Sequence, residues 1–230
     1  MFASSLLSPF AVFPQVVRSS GRQLSAGWTG KLARLVPEFE QHLGREGAMR
    51  VKRLLEGFMR FTLPYDAYQH KERVTLELLT GNVETYDLTG DHLDEDGNPQ
   101  TRIFVESKNV DDAAGQSAEF NRFLAQAYSA TVKRWQDLNA DPKYEFMWAT
   151  TCPWKGSGFR QAASKENLRQ AVEDHLDDDV LPKDHVIDDA MIDLVAERLW
   201  LWVVSERHEE MSPTDEMRSY VWKALIGGDA

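Results

Sequence analysis

Apolar residues recur at helical spacing over Trp28 to Leu43 and again over Glu46 to Phe61, the second stripe running through Val51, Leu54, Leu55, Phe58 and Met59. Gly44 separates these two predicted helices, and Pro64 marks the end of the helical region. The repeat then shortens to about two residues: Arg73 to Thr80 alternates with Val74, Leu76 and Leu78 on one face, and Val83 to Leu93 reads as a second strand. Asp94-Glu95-Asp96-Gly97-Asn98-Pro99 is a turn cluster whose Asp-Gly pair suits a two-residue hairpin loop. Thr101 to Lys108 follows as the third strand of an antiparallel meander.

Gln116 to Leu138 carries Phe120, Phe123, Leu124, Ala127, Tyr128, Val132 and Trp135 on one helical stripe, and Glu145 to Thr151 is a short fourth strand. Beyond Pro153 the pattern predicts helices over Phe159 to Leu176, Val186 to Glu206 and Pro213 to Ile226. Trp200 to Val204 makes the second of these apolar nearly all round, which implies burial on more than one side or a docking surface. The expected organisation is an N-terminal arm and helix over 1–45, an α/β core of the α+β type over 46–154, and a helical C-terminal lobe over 155–230.

Composition narrows the functional classes. With 42% hydrophobic residues the 230-residue chain can fill a core, and its one cysteine, Cys152, excludes an internal disulfide framework and a thiolate-only zinc site, which suits a reducing cytoplasm. No apolar run is long enough to span a bilayer. The N-terminus is apolar with late arginines, but Pro9 and Pro14 interrupt it, so it reads as an arm rather than a secretory signal. A net charge of -11 argues against coating nucleic acid by bulk electrostatics. The acid-rich stretch 173–189, with Asp177-Asp178-Asp179, reads as a solvated connector.

Candidate chemistry concentrates where the apolar run Ile103-Phe104-Val105 ends in Glu106-Ser107-Lys108. Strand alternation puts Phe104, Glu106 and Lys108 on one face and Ile103, Val105 and Ser107 on the other. A two-residue Asp96-Gly97 loop would place Asp87 opposite Glu106, with roughly 5 Å between Cβ atoms, and Asp91 opposite Arg102. A longer loop centred on Asn98-Pro99 would instead make Asp91 the partner of Glu106. Two carboxylates and a strand carbonyl such as that of Ser107 suit Mg2+ or Mn2+, and Lys108 beside them can orient water and offset charge on a reacting phosphate. Glu-x-Lys on a strand also arises as a plain cross-strand ion pair.

The order of helix, three-strand meander, long helix and fourth strand, with Asp87 or Asp91 followed by Glu106 and Lys108, resembles the PD-(D/E)xK superfamily of restriction-endonuclease-like nucleases over Glu46 to Trp154. Tyr86 stands where that family usually has proline. The resemblance implies a mixed sheet flanked by helices and Mg2+-dependent cleavage of phosphodiesters, DNA favoured, leaving a 5′ phosphate. It further implies an added glutamate from the first core helix, for which Glu56 is the candidate, and a polar residue on the later helix, Gln116 or Gln126. Its members include nuclease subunits of anti-phage defence systems that work with an NTPase or helicase. The alternative is a catalytically silent adaptor of the same fold that binds a partner protein.

Other motifs are bland. Asp94 to Asn98 lacks the ligand spacing of a calcium loop, and the six histidines show no zinc-binding pattern. His92 reads as a solvent-facing strand residue, Cys152 as a small buried hydrophobe, and Arg50, Lys52, Arg53, Arg60, Lys133 and Arg134 as bases able to reach phosphate, although each taken singly reads first as ordinary helix surface charge.

Overall fold

The computed structural model describes residues 44–109, 115–153 and 161–205, with a few positions between 207 and 220. The expected helices Trp28 to Leu43 and Pro213 to Ile226 and the N-terminal arm lie outside the described residues or nearly so.

The chain folds in the order α1 (44–58), β1 (Phe61–Asp66), a 3-10 turn (Lys71–Arg73), β2 (Thr75–Glu77), β3 (Val83–Thr85), β4 (Leu88–Leu93), β5 (Pro99–Lys108), α2 (Gln116–Leu138), β6 (Tyr144–Thr150), α3 (Lys165–Asp174), α4 (Asp189–Ala196) and β7 (Leu199–Val203). Five strands form a mixed sheet in the order β1-β4-β5-β6-β7, antiparallel up to β5 and parallel thereafter, and β2 pairs with β3 in a separate antiparallel pair. The fold is α+β.

β5 lies at the centre, and both of its faces are covered, which is why Ile103-Phe104-Val105 is uninterruptedly apolar. On one face Phe104, Phe146 and Trp148 pack with Phe120, Phe123, Leu124 and Tyr128 of α2; on the other Ile103, Val105, Met147 and Ala149 pack with Val51, Leu54 and Leu55 of α1.

The β4–β5 register is the one expected from an Asp-Gly hairpin, but it arises differently. The Asp94 N–H donates to the Asn98 carbonyl at 2.9 Å and the Gly97 N–H to the Asp94 carbonyl at 3.2 Å, so Glu95, Asp96 and Gly97 form a three-residue loop. Gly97 takes φ +82°, a conformation that favours glycine. Leu93 then pairs with Pro99 but His92 with Thr101, leaving Gln100 as an extra residue in β5. The extra residue offsets the longer loop, and Asp91 faces Arg102 as the shorter one would have placed it.

Two segments expected to be helical or to end a helix are strands. The pattern around Pro64 hides a strand: Phe61 and Leu63 are buried, while exposed Pro64 sits at the irregularity between Thr62 and Tyr65 on the edge strand β1, where a missing N–H is tolerated. The apolar run expected to be helical through Glu206 is instead strand β7, paired parallel with β6 from Phe146↔Leu199 to Thr150↔Val203. A strand in a parallel pair, flanked on both faces, carries the same unbroken apolar signature as a buried helix. The break comes at Arg198, whose guanidinium makes two 2.7 Å bonds to Asp141 while its carbonyl accepts from the Phe146 N–H.

The acidic side chains of the stretch 173–189 face solvent, as expected of a solvated connector, and several of them also hold the local backbone and α2. Asp178 accepts from the N–H groups of the buried residues Val180 and Leu181, Asp188 caps α4 through the Ala190 N–H, and Asp179 takes Arg122 in a two-pronged ion pair at 2.9 and 2.7 Å.

At Gly90 a Cβ would stand 1.8 Å from the Thr62 carbonyl oxygen, because β1 crosses β4 there at close range. Gly90→Ala is expected to cost about 2 kcal/mol or more, since backbone rather than a flexible side chain would have to move. Urea denaturation of the purified variant checks this. Among the described residues no helix is long and apolar enough to cross a membrane.

Candidate active site

Val83 to Leu93 is not one strand but two, and the break creates the site. The Tyr86 N–H donates to the Val74 carbonyl at 3.0 Å, so the chain still belongs to the small sheet there; one residue later the Asp87 carbonyl accepts from the Ala67 N–H at 3.0 Å, at the entrance to β4. The Tyr86 ring anchors this crossing among Phe104, Phe123 and Phe146, at 5.4, 6.3 and 5.7 Å between centroids.

The register Leu88↔Val105 carries Asp87 to a place opposite Glu106. Asp87 accepts the Ser107 N–H on Oδ2 at 2.8 Å, taking the bond that β4 no longer supplies. The Arg102 N–H and Lys108 carbonyl both bond toward β6, so alternation aims the Ser107 N–H and carbonyl to the Asp87 side. Glu106 and Lys108 are joined at 3.0 Å, and Lys108 also reaches Glu119 of α2 at 2.9 Å while lying over the Trp148 ring at 5.2 Å.

Electrostatics single out this group. Burial, then the charge of Asp87, pushes the Glu106 carboxyl up to about 8 against the pull of Lys108. Burial also raises Asp87, opposed by the Ser107 N–H and by Lys108. Burial opposes the Lys108 charge, but Glu106 and Glu119 more than compensate and hold the ammonium above its ordinary range. Burial raises Glu84 of β3, which lies within electrostatic reach of Lys108 and takes a 2.5 Å hydrogen bond from Gln126. Tyr68 is likewise raised, by burial and then by Asp87, Asp66 and Glu106, with Arg45 opposing.

The structure thus brings Asp87, Glu106, Lys108 and the Ser107 backbone together. The weaker candidates go elsewhere. Glu56 accepts the Leu63 N–H at 2.9 Å and pairs with Lys52, and Asp91 faces Arg102 at 3.9 Å. Gln116 spans Cys152 and Thr150 at the end of β6, and Gln126 is held by Glu84. His92 is not a solvent-facing residue: its Nδ1 lies 3.0 Å from Glu145, at the far end of β4 from Asp87. Glu84 and Glu119 were missed because their contacts depend on how the small sheet and α2 dock. Cys152 is half-buried.

Several of the bases proposed for phosphate are engaged as well. Lys52 pairs with Glu56, Arg60 with Glu95, and Lys133 with Asp137 and Glu77. Lys133 and Arg134 line a cavity of about 290 Å³ with Arg102 and Tyr144, at the opposite end of β5 from Lys108.

Among the described residues no set of three or more His, Cys, Asp or Glu side chains is arranged to hold a metal ion. The side-chain donors at the site are therefore the two carboxylates of Asp87 and Glu106. That set fits Mg2+, which binds through one or two carboxylates and keeps several waters. Burial first, and then the charge of Asp87, lifts Glu106; a divalent cation between the two carboxylates would offset their charge, and binding would release the Glu106 proton. The buried Tyr86 hydroxyl and Trp148 Nε1, beside Glu106 in the fold, have no hydrogen-bond partner among the described residues.

No protein-family profile matches the chain, and no curated protein matches it. Among solved structures it is similar to the Moraxella osloensis Cap4 SAVED/CARF-domain containing receptor, at 12% sequence identity and a TM-score of 0.28, over 80% of this chain and 36% of that one. The chain spans 36% of the receptor's length, and a likeness of that size says nothing about what this chain does.

Proposed function

We propose that the chain is a metal-dependent nuclease that hydrolyses phosphodiester bonds, most readily those of DNA. The observation that carries this reading is the pair Asp87 and Glu106: two carboxylates opposite each other on neighbouring strands and largely screened from water, where burial raises both and the charge of Asp87 raises Glu106 further, against the pull of Lys108. Asp87 and Glu106, with the Ser107 carbonyl, would hold Mg2+ or Mn2+, which when bound supplies a more acidic water and neutralises charge on the phosphate. Lys108 holds a proton and a positive charge throughout the neutral range, so it can donate to a non-bridging phosphate oxygen as charge builds there. The Trp148 ring and the Glu119 carboxylate keep its ammonium at the end of β5. With many bases tied in ion pairs, an NTPase or helicase subunit that grips the DNA belongs naturally to this reading.

One observation favours the adaptor reading: Lys108 already bridges Glu106 and Glu119, as in a purely structural ion-pair network. Cleavage of plasmid and single-stranded DNA with Mg2+ or Mn2+ decides between them. The nuclease reading expects cutting that chelator stops and that Lys108→Ala lowers by about 10²-fold or more. Cutting that survives both removes it.

A further inference from the structure

The first described turn of α1 is pressed against the end of the site. A Cβ on Gly47 would stand 2.6 Å from Cβ of Asn109, the residue after Lys108, and a Cβ on Gly44 would stand 2.9 Å from the Tyr68 hydroxyl. Two glycines three residues apart, on one side of the helix, thus let it approach both the motif strand and Tyr68. Arg45 lies between them in the chain, exposed, with its guanidinium 5.9 Å from the centre of the Tyr68 ring.

Two features separate this pair from ordinary surface. Among the described residues Arg45 has no carboxylate partner, whereas Lys52 and Arg60 on the same segment are both neutralised. The Tyr68 hydroxyl likewise has no hydrogen-bond partner among the described residues, although its ring lies within electrostatic reach of Asp87 and Glu106. A cation and a hydroxyl with free donors, flanking a pair of carboxylates, suit a polyanion that must be held close to negative charge.

We propose that Arg45 and Tyr68 hold the phosphodiester next to the scissile one, Arg45 through its guanidinium and Tyr68 through its hydroxyl, with a DNA strand as the ligand. This rests on the nuclease reading and assigns the contact that an acidic chain needs beside its acidic site. The two groups are positioning residues: they seat the strand so that its neighbouring phosphate meets Lys108. A planar guanidinium lying over an aromatic ring is pre-organised, so little side-chain freedom is lost when the phosphate arrives.

Fluorescence anisotropy of a fluorescein-labelled DNA duplex, titrated with the intact chain under chelator so that no cutting occurs, tests it. Arg45→Ala is expected to weaken binding roughly tenfold and to reduce the salt dependence by about one phosphate contact, with an unchanged melting temperature. Arg45→Lys should recover part of the loss, and Tyr68→Phe, which keeps the ring, should weaken binding by less than Arg45→Ala. With Mg2+ present, Arg45→Ala should raise KM far more than it lowers kcat. Wild-type affinity and salt dependence in Arg45→Ala would overturn the assignment and leave the nuclease reading standing. An intact chain that neither binds nor cuts would overturn both.

Discussion

Glu106→Gln is expected to lower Mg2+-dependent cleavage by about 10³-fold and, at the same time, to make the metal-free protein more stable above pH 8. Both effects have one cause. The Glu106 carboxyl titrates at about 8 in the folded chain rather than at its ordinary 4.5, because it is buried beside Asp87. Folding therefore favours the protonated form, and its contribution to stability is intact below pH 4.5 and lost as pH rises through about 8. The wild-type melting temperature should fall across that window, and Mg2+ should restore it by favouring the charged pair.

Glutamine keeps the shape but not the charge, so the variant should show a flatter pH profile and no Mg2+ response. The stability gain above pH 8 is on the order of 2 kcal/mol, less than the pKa displacement alone would give, because about a fifth of the Glu106 side chain (22%) meets solvent and Lys108 remains paired with Glu119. Thermal melts of both proteins against pH, with and without Mg2+, measure it. Identical profiles would show that Glu106 is not held in the repulsive setting described.

The second large effect is at the other end of the sheet. Glu145→Ala is expected to destabilise the fold by about 3 kcal/mol. Glu145 is buried and accepts from Thr101 Oγ1 at 2.5 Å and Trp200 Nε1 at 2.8 Å, with His92 Nδ1 at 3.0 Å, so one carboxylate ties β4, β5, β6 and β7. Its removal takes the shared acceptor from the Thr101 hydroxyl, the Trp200 indole N–H and His92 Nδ1, the last packed against the Phe61 and Trp200 rings. Glu145→Gln, which keeps one acceptor, should lose about half as much. Urea denaturation quantifies both, and the near-ultraviolet signal of Trp200 should change in the alanine variant. A loss under 1 kcal/mol would mean that water replaces the carboxylate at little cost.

Much of the core was legible in the chain. The α2 stripe was read with its boundaries, and the face shared by Phe104, Glu106 and Lys108 followed from strand alternation alone. The opposition of Asp87 and Glu106 was also readable, though through compensation: a three-residue loop and the extra residue Gln100 reproduce the pairing expected of a shorter turn. β7 was misread because Leu199 to Val203 gives no period by which a buried strand differs from a buried helix. β1 was hidden because Pro64 argues against a strand anywhere but at an edge, and edge position is a property of the assembled sheet. Glu56 followed from the resemblance, whereas in space its carboxylate is taken by the Leu63 N–H.

The crossing of the chain between its two sheets at Tyr86 and Asp87 makes the small hairpin a lever on the site. That hairpin is moored far along the sequence: the Leu79 N–H donates to Ser129 Oγ, and Thr80 and Asn82 both donate to the Asp179 carbonyl. Asp179 is itself clamped to α2 by Arg122. The spacing between Asp87 and Glu106 is thus set partly by a residue more than ninety positions away, and loosening the Arg122 clamp would let one carboxylate drift while the other stays fixed in the central strand.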